Sequence, residues 1–361
     1  VCTSPLPYRP DSSLPDVSPT LRAGRSTVAA SSFRFVPTPT GLVAAVDEND
    51  DDSAVITTTL LGFDRTGELL WRQPFDEPIT GPLVAEDGTL WVGLRSGSLV
   101  SLDATGSVTG EHRIEEPHSA LWLSAMGSAG QLVVTMPDFP TGVGIVLGFD
   151  PCAGEAWRLG LAGVPIGAPT EDAAGRLYFA TDQHVYVVGP EGGFEVSHGL
   201  GAFINGHPTL LRSGQIAVTT VVGSGIDDAT SATRVTLLNG ATSRSFDVPG
   251  RWHPGRSPLA ESGDGGLLIR RWTDVVLVDV ASGAERWRAF AHPNIMFDAR
   301  SEPGGGVLVL SQSLSLLDAE TGDPRWTFDG PIGTSCVDGL AIDRGVLAAS
   351  QCDGSYFVAG W

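Results

Sequence analysis

Ten residues recur almost unchanged in this chain, as GFDRTGELLW at 62–71 and GFDPCAGEAW at 148–157. An internal repeat decides architecture before any local propensity does, because each copy builds one unit that buries its apolar faces against its neighbours. Looser copies follow: LVSLDATGSV at 99–108, VVLVDVASGAERW at 275–287 and LSLLDAETGDPRW at 314–326. The anchors are Asp64, Asp103, Asp150, Asp279 and Asp318, and two degenerate copies place Gly189 and Asn239 in the same frame. Successive anchors are 39, 47, 39, 50, 40 and 39 residues apart.

A second phrase precedes each anchor, running from a small or Pro-containing start through a Gly turn into an apolar stretch. It reads TGPLVAEDGTLWVG from 80, GAPTEDAAGRLYFA from 167, GHPTLLRSGQIAVT from 206, RSPLAESGDGGLLI from 256 and FDARSEPGGGVLVL from 297. SFRFVPTPTGLVAAV and CVDGLAIDRGVLAAS belong to the same set, and the latter, lying after the seventh anchor, brings the count to eight units. Each unit holds three or four short strand-like runs bounded by Gly, Asp, Pro or Asn, without sustained helical periodicity.

Units of about 40 residues with four strands predict an all-β, eight-bladed β-propeller of four-stranded antiparallel blades. The last unit stops at YFVAGW without a closing Asp-Gly-Trp segment. We therefore expect an N-terminal strand, from LRAGRSTVAA at 21–30, to complete the eighth blade, with seven blades as the alternative. Five prolines in the first twenty residues mark 1–20 as an extended strap, leaving 21–361 as a single propeller domain.

These phrases resemble the PQQ-like repeat of quinoprotein dehydrogenases and of non-enzymatic eight-bladed propellers, among them a lipoprotein of the outer-membrane assembly machinery. The resemblance implies that Trp71, Trp157, Trp287 and Trp326 dock between neighbouring blades. The residues themselves say that each anchor Asp caps the turn between third and fourth strands by accepting backbone N–H bonds. The following glycines, Gly67, Gly106, Gly154, Gly283 and Gly322, supply a positive φ. Read as chemistry instead, Asp64 and Glu68 would form an acid/base pair, but a catalytic pair has no reason to recur around a ring.

The quinoprotein branch of the resemblance implies a vicinal disulfide over the quinone and a calcium held near the axis. No two cysteines are adjacent here, and blades of about 40 residues leave no room for such insertions, so PQQ is not expected. G-x-S-x-G, H-E-x-x-H, P-loop and C-x-x-C patterns are absent from the sequence. The expectation is a scaffold without catalysis; an oxidoreductase, hydrolase or lyase with loop-borne residues at the axis is the competing class.

A formal charge of −20 disfavours nucleic acid and anionic lipid as partners. No apolar run reaches the length of a membrane helix. Loops between second and third strands are short in five blades but long in blades 1, 3 and 5: DENDDDSA from 47, PDFPTGVG from 137 and VGSGIDDATSAT from 222. Long loops on a rigid scaffold are where binding resides, so a protein partner is expected there.

Asp47, Asn49 and Asp51 match the start of a calcium loop. Asp52 and Thr58 stand where that loop needs Gly and Glu, so a solvated acidic loop is the other reading, and calcium binding would make the chain a structural subunit of a larger assembly. His118, His207, His253 and His292 fall on blade linkers, where a metal site or ordinary hydrogen bonding is expected. Of the four cysteines, Cys336 and Cys352 bracket a short segment suited to a disulfide, Cys2 and Cys152 are left over, and four cysteines permit three pairings among which the sequence does not choose. An even count suits an oxidising compartment, hence a secreted, periplasmic or surface location in a bacterial envelope. Cys2 also resembles a lipoprotein cysteine, which would attach the chain to lipid or to a membrane complex, although Val1 precedes it.

Overall fold

The computed structural model describes residues 6–9, 20–23, 30–49, 56–114, 121–138, 141–223, 232–239, 242–250, 260–262, 265–270, 274–290, 298–301, 306–310, 313–328, 337–351 and 356–360. They form eight four-stranded antiparallel sheets and, among the described residues, no helix. Blade 1 covers residues 30–75 and each later blade follows in chain order. Blade 8 takes three strands from residues 337–360 and its outer strand from Thr20–Ala23, which pairs antiparallel with Tyr356–Gly360. The eight-bladed reading and its N-terminal closure are thus correct. The closing strand is shorter than the segment 21–30, because Ala30 pairs with Glu48 and already belongs to blade 1.

The core is not one mass but eight wedges, each shared by two consecutive blades, with the last joining blade 8 to blade 1. This is why the second strands read as continuous apolar runs rather than alternating ones. Alternate residues point to opposite faces of the sheet, and in a propeller both faces are buried. In blade 1, Leu42, Ala44 and Val46 enter the wedge with blade 8, whereas Val43 and Ala45 enter the wedge with blade 2. Outer strands have one edge in solvent and alternate, as in the exposed–intermediate pattern of Leu69–Phe75.

Turns between first and second strands share one face of the ring with turns between third and fourth strands. Residues 6–9 of the N-terminal segment lie on that face. The Tyr8 amide donates to Val84 O at 2.8 Å, the Glu86 amide donates to Leu6 O at 2.7 Å, and Pro7 bridges Ala85. The Tyr8 hydroxyl donates to Asp343 Oδ2 of blade 8 at 2.9 Å. The segment therefore spans from blade 2 to blade 8, across blade 1.

Candidate functional site

The repeated Asp, with a Gly three or four residues on, builds the blade-closing turns. Asp64 Oδ1 accepts from the amides of Thr66 and Glu68, Asp103 Oδ1 from those of Thr105 and Ser107, and Asp150 Oδ1 from those of Cys152 and Ala153. Asp279 and Asp318 add ion pairs with Arg286 and Arg325, each at 2.9 Å. Hydrogen bonding to the charged form holds a carboxyl below its usual range. Asp64 and Asp103 are lowered mainly by the Thr66 and Thr105 hydroxyls, Asp279 and Asp318 mainly by their arginines. These carboxylates are engaged within their own turns.

The tryptophans on the outer strands reach across blade seams. Trp71 Nε1 donates to Ala104 O of blade 2 at 3.0 Å, and Trp287 Nε1 donates to Ala319 O of blade 7 at 2.7 Å. Trp157 donates within its blade, to Gln131 Oε1 at 2.9 Å, while its ring covers Gly192 of blade 4. Trp326 is buried with Ile342, Leu347 and Ala359 of blade 8. Sequence reasoning missed the partner of these rings: the turn glycine of the next blade. A Cβ on Gly106 would lie 2.4 Å from Trp71, one on Gly192 2.2 Å from Trp157, and one on Gly322 2.9 Å from Trp287. The leading Gly of the repeated phrase has a related role, since a Cβ on Gly62 or Gly148 would lie 2.1 or 2.2 Å from the Trp of its own blade. The signal was the shared GFD itself. Blade 2 has Gly110 at the Trp position, and its seam with blade 3 is filled by Trp91, whose ring centroid lies 5.9 Å from that of His112, which meets Phe149 edge-on at 5.3 Å.

The opposite face differs sharply among blades. Counted from the pair next to the anchor, the hairpin of second and third strands runs eight pairs in blade 1, from Leu42↔Phe63 to Asn49↔Ile56. It runs seven in blade 3, from Leu132↔Phe149 to Asp138↔Val143, and seven in blade 5, from Ile216↔Leu238 to Val222↔Ala232. In the other five blades four pairs are formed, as from Leu90↔Leu102 to Gly93↔Leu99 in blade 2. At roughly 3.3 Å per residue, blade 1 stands about 13 Å, and blades 3 and 5 about 10 Å, above their neighbours.

Of the calcium-loop residues, Asp47 accepts from the Thr58 hydroxyl at 2.7 Å and pairs with Arg34 at 3.3 Å. Arg34 also donates to Ile79 O of blade 2 at 3.0 Å, so the carboxylate sits in a network that joins blades 1 and 2. The Asn49 backbone ends the second strand of blade 1, and Asp51 lies outside the described residues. Among the described residues no three His, Cys, Asp or Glu side chains converge as a metal site would require. His207 packs beneath Gly167, and burial lowers its pKa; His118, His253 and His292 lie outside the described residues. Cys152 is disulfide-bonded, and Cys2, Cys336 and Cys352 lie outside the described residues.

No curated protein matches this sequence. Among solved structures, BamB from Moraxella catarrhalis superposes with a TM-score of 0.67 at 16% identity, covering 96% of this chain and 98% of that one. The computationally designed Ika8 protein gives 0.64 at 17% identity, covering 95% and 100%. A virginiamycin B lyase from Staphylococcus aureus gives 0.56 at 12% identity, covering 78% and 94%. At such identities the likeness is one of fold. The family model described as outer membrane protein assembly factor BamB matches residues 16–205, more than half of the 361 residues. With its PQQ-like repeats and eight blades, the chain belongs to that family.

Proposed function

We propose that this propeller is a non-enzymatic scaffold of the bacterial envelope, docking a protein partner on the face crowned by blades 1, 3 and 5. The carrying observation is the difference in hairpin length: seven or eight pairs in three alternate blades against four in the rest. Extra ladder pairs stiffen a projection that the ring does not need for closure. A partner meeting three such posts is gripped at several points by a preorganised surface, which lowers the entropic cost of docking. Exposed apolar side chains sit beside them, Val143 at the blade 3 tip and Phe203 on the link into blade 5, 42% and 55% exposed. The family's description as an assembly factor supports the same reading. The residues before the closing strand at Thr20 act as a strap apart from the propeller domain, and the envelope location, secreted, periplasmic or surface-attached, rests on the family and on the disulfide-bonded Cys152.

A photo-crosslinking residue at Thr141, on the blade 3 tip, tests this in the native host, with Asp87 on the strap face as the control. A discrete protein adduct from Thr141 but not from Asp87 is expected. Equal labelling from both positions, or turnover of a small molecule by the purified chain, overturns the scaffold reading.

A further inference from the structure

The strap face carries a feature that neither the propeller's closure nor its docking face uses. Residues 6–9 roof a cavity of ≈ 580 Å³ whose floor comes from turns between first and second strands. Pro39, Glu86, Ser128 and Arg344 line it from blades 1, 2, 3 and 8, and Arg9 and Tyr8 line it from the strap. Its size falls within the range of small-molecule sites, roughly 300–1,000 Å³.

Two arginines, Arg9 and Arg344, line this space. A third, Arg65, is held nearby by donating to Pro39 O at 2.8 Å. The Tyr8 pKa is raised by burial and by Asp343, while Arg344 and Arg65 pull it down, so both arginines are felt at the strap. The buried Asp343 is already engaged by the Tyr8 hydroxyl. In a chain of net charge −20, this cavity is lined by two arginines and one glutamate.

Arg344 is also the single non-glycine residue at positive φ among the described residues, at φ 46. It forms a two-residue turn with Gly345 at φ 76, a geometry that selects Gly, Asn or Asp at both places. A long side chain held in left-handed backbone is strained, and such strain persists where the side chain has a use. Glu86 occupies the equivalent turn position two blades away. Its charge disfavours dianions, leaving a single carboxylate as the group that fits a guanidinium pair.

We propose that this cavity binds a small monocarboxylate, its two oxygens held by Arg9 and Arg344 beneath the strap. The test is calorimetric titration of the full chain with N-acetylglycine, N-acetylglycinamide and inorganic phosphate. N-Acetylglycine is expected to bind, with the amide and phosphate at least about tenfold weaker. Arg9→Gln and Arg344→Gly should each weaken binding by at least about tenfold. Arg344→Gly should melt no lower than the parent, because glycine accepts the turn's φ, so its loss of binding is not a loss of fold. An octapeptide with a free C-terminus, set against N-acetylglycine, separates a chain end from a free acid as the source, and binding of either through the two arginines sustains the proposal. Binding of the amide or phosphate as tightly as the carboxylate, no binding at all, or indifference to both substitutions overturns it.

Discussion

The indole of Trp71 occupies the space that a Cβ on Gly106 would need, 2.4 Å away, while its Nε1 donates to Ala104 O at 3.0 Å. One turn glycine thus does two jobs: its backbone sits at φ 80, and its bare Cα lets the preceding blade press against it. The same relation joins Trp157 to Gly192, Phe246 to Gly283 and Trp287 to Gly322. Gly154 has the turn geometry, at φ 92, but nothing within 4 Å of its missing Cβ.

That contrast separates conformational from steric cost. Gly154→Ala should destabilise by about 1 kcal/mol, the cost of left-handed backbone alone. Gly106→Ala carries the same cost plus overpacking against a ring, about 2–4 kcal/mol in total. Urea unfolding at equilibrium measures both. Equal losses at the two sites would show that the Trp ring yields freely and that the seam is not close-packed there.

The alkaline limit of the fold should be set by its tyrosines. Tyr178 donates to Asp172 Oδ2 at 3.0 Å, and burial first, then that carboxylate, push its pKa up to about 12. Tyr8, Tyr186 and Tyr356 are raised as well, mainly by burial. A folded pKa above the unfolded value of 10.0 means that the stabilisation is complete below pH 10 and is lost as pH climbs through the folded value. Absorbance of tyrosinate should therefore rise only above pH 10, with Tyr178 last. Asp172→Asn should bring Tyr178 down part of the way, since burial remains. A midpoint at 10 for Tyr178 in the parent would contradict the buried, hydrogen-bonded geometry.

How much of this was readable beforehand depends on whether a residue's role lies within its own repeat. The Asp anchors cap turns two to four residues away, so their spacing alone reveals them. The segments from Asp47, Pro137 and Val222 read as long loops in the sequence, whereas Asp47–Asn49, Pro137–Asp138 and Val222 continue the strands of the tall hairpins in blades 1, 3 and 5. What stayed hidden crosses the seams. Trp71 and Gly106 lie in different copies of the repeat, and no periodicity links them. Gly110 in blade 2 breaks the Trp pattern, and Trp91 fills the seam from another strand. The place of Tyr8 was equally silent, because its partners are 76 residues away at Val84 and 335 away at Asp343. A proline-rich segment has no pattern that names a distant backbone as its partner.

The path of the strap leads to the last prediction, the partner of Cys152. Tyr8 reaches blade 8, and Leu6 lies against blade 2, so the described residues 6–9 run, in the N-terminal direction, towards the blade 3 side. Ser128 of blade 3 already lines the cavity beneath the strap. Cys152, in the closing turn of blade 3 on the same face, is disulfide-bonded, and four residue steps separate Leu6 from Cys2, a reach of up to about 13 Å. We expect Cys2 to be its partner, with Cys336 and Cys352 forming the other pair. Mass spectrometry of a non-reduced digest should yield the Cys2–Cys152 peptide. Closing a loop of this length removes unfolded-state entropy of at most about 5 kcal/mol, so Cys152→Ser should lower the melting temperature while the eight blades still close. The Tyr8 amide of the strap and the Glu86 amide of blade 2 should then exchange faster, because two backbone bonds and the Tyr8 hydroxyl hold a short segment weakly. A Cys152 peptide linked to Cys336 or Cys352 instead would refute the pairing and leave the strap held by Tyr8 and its backbone bonds.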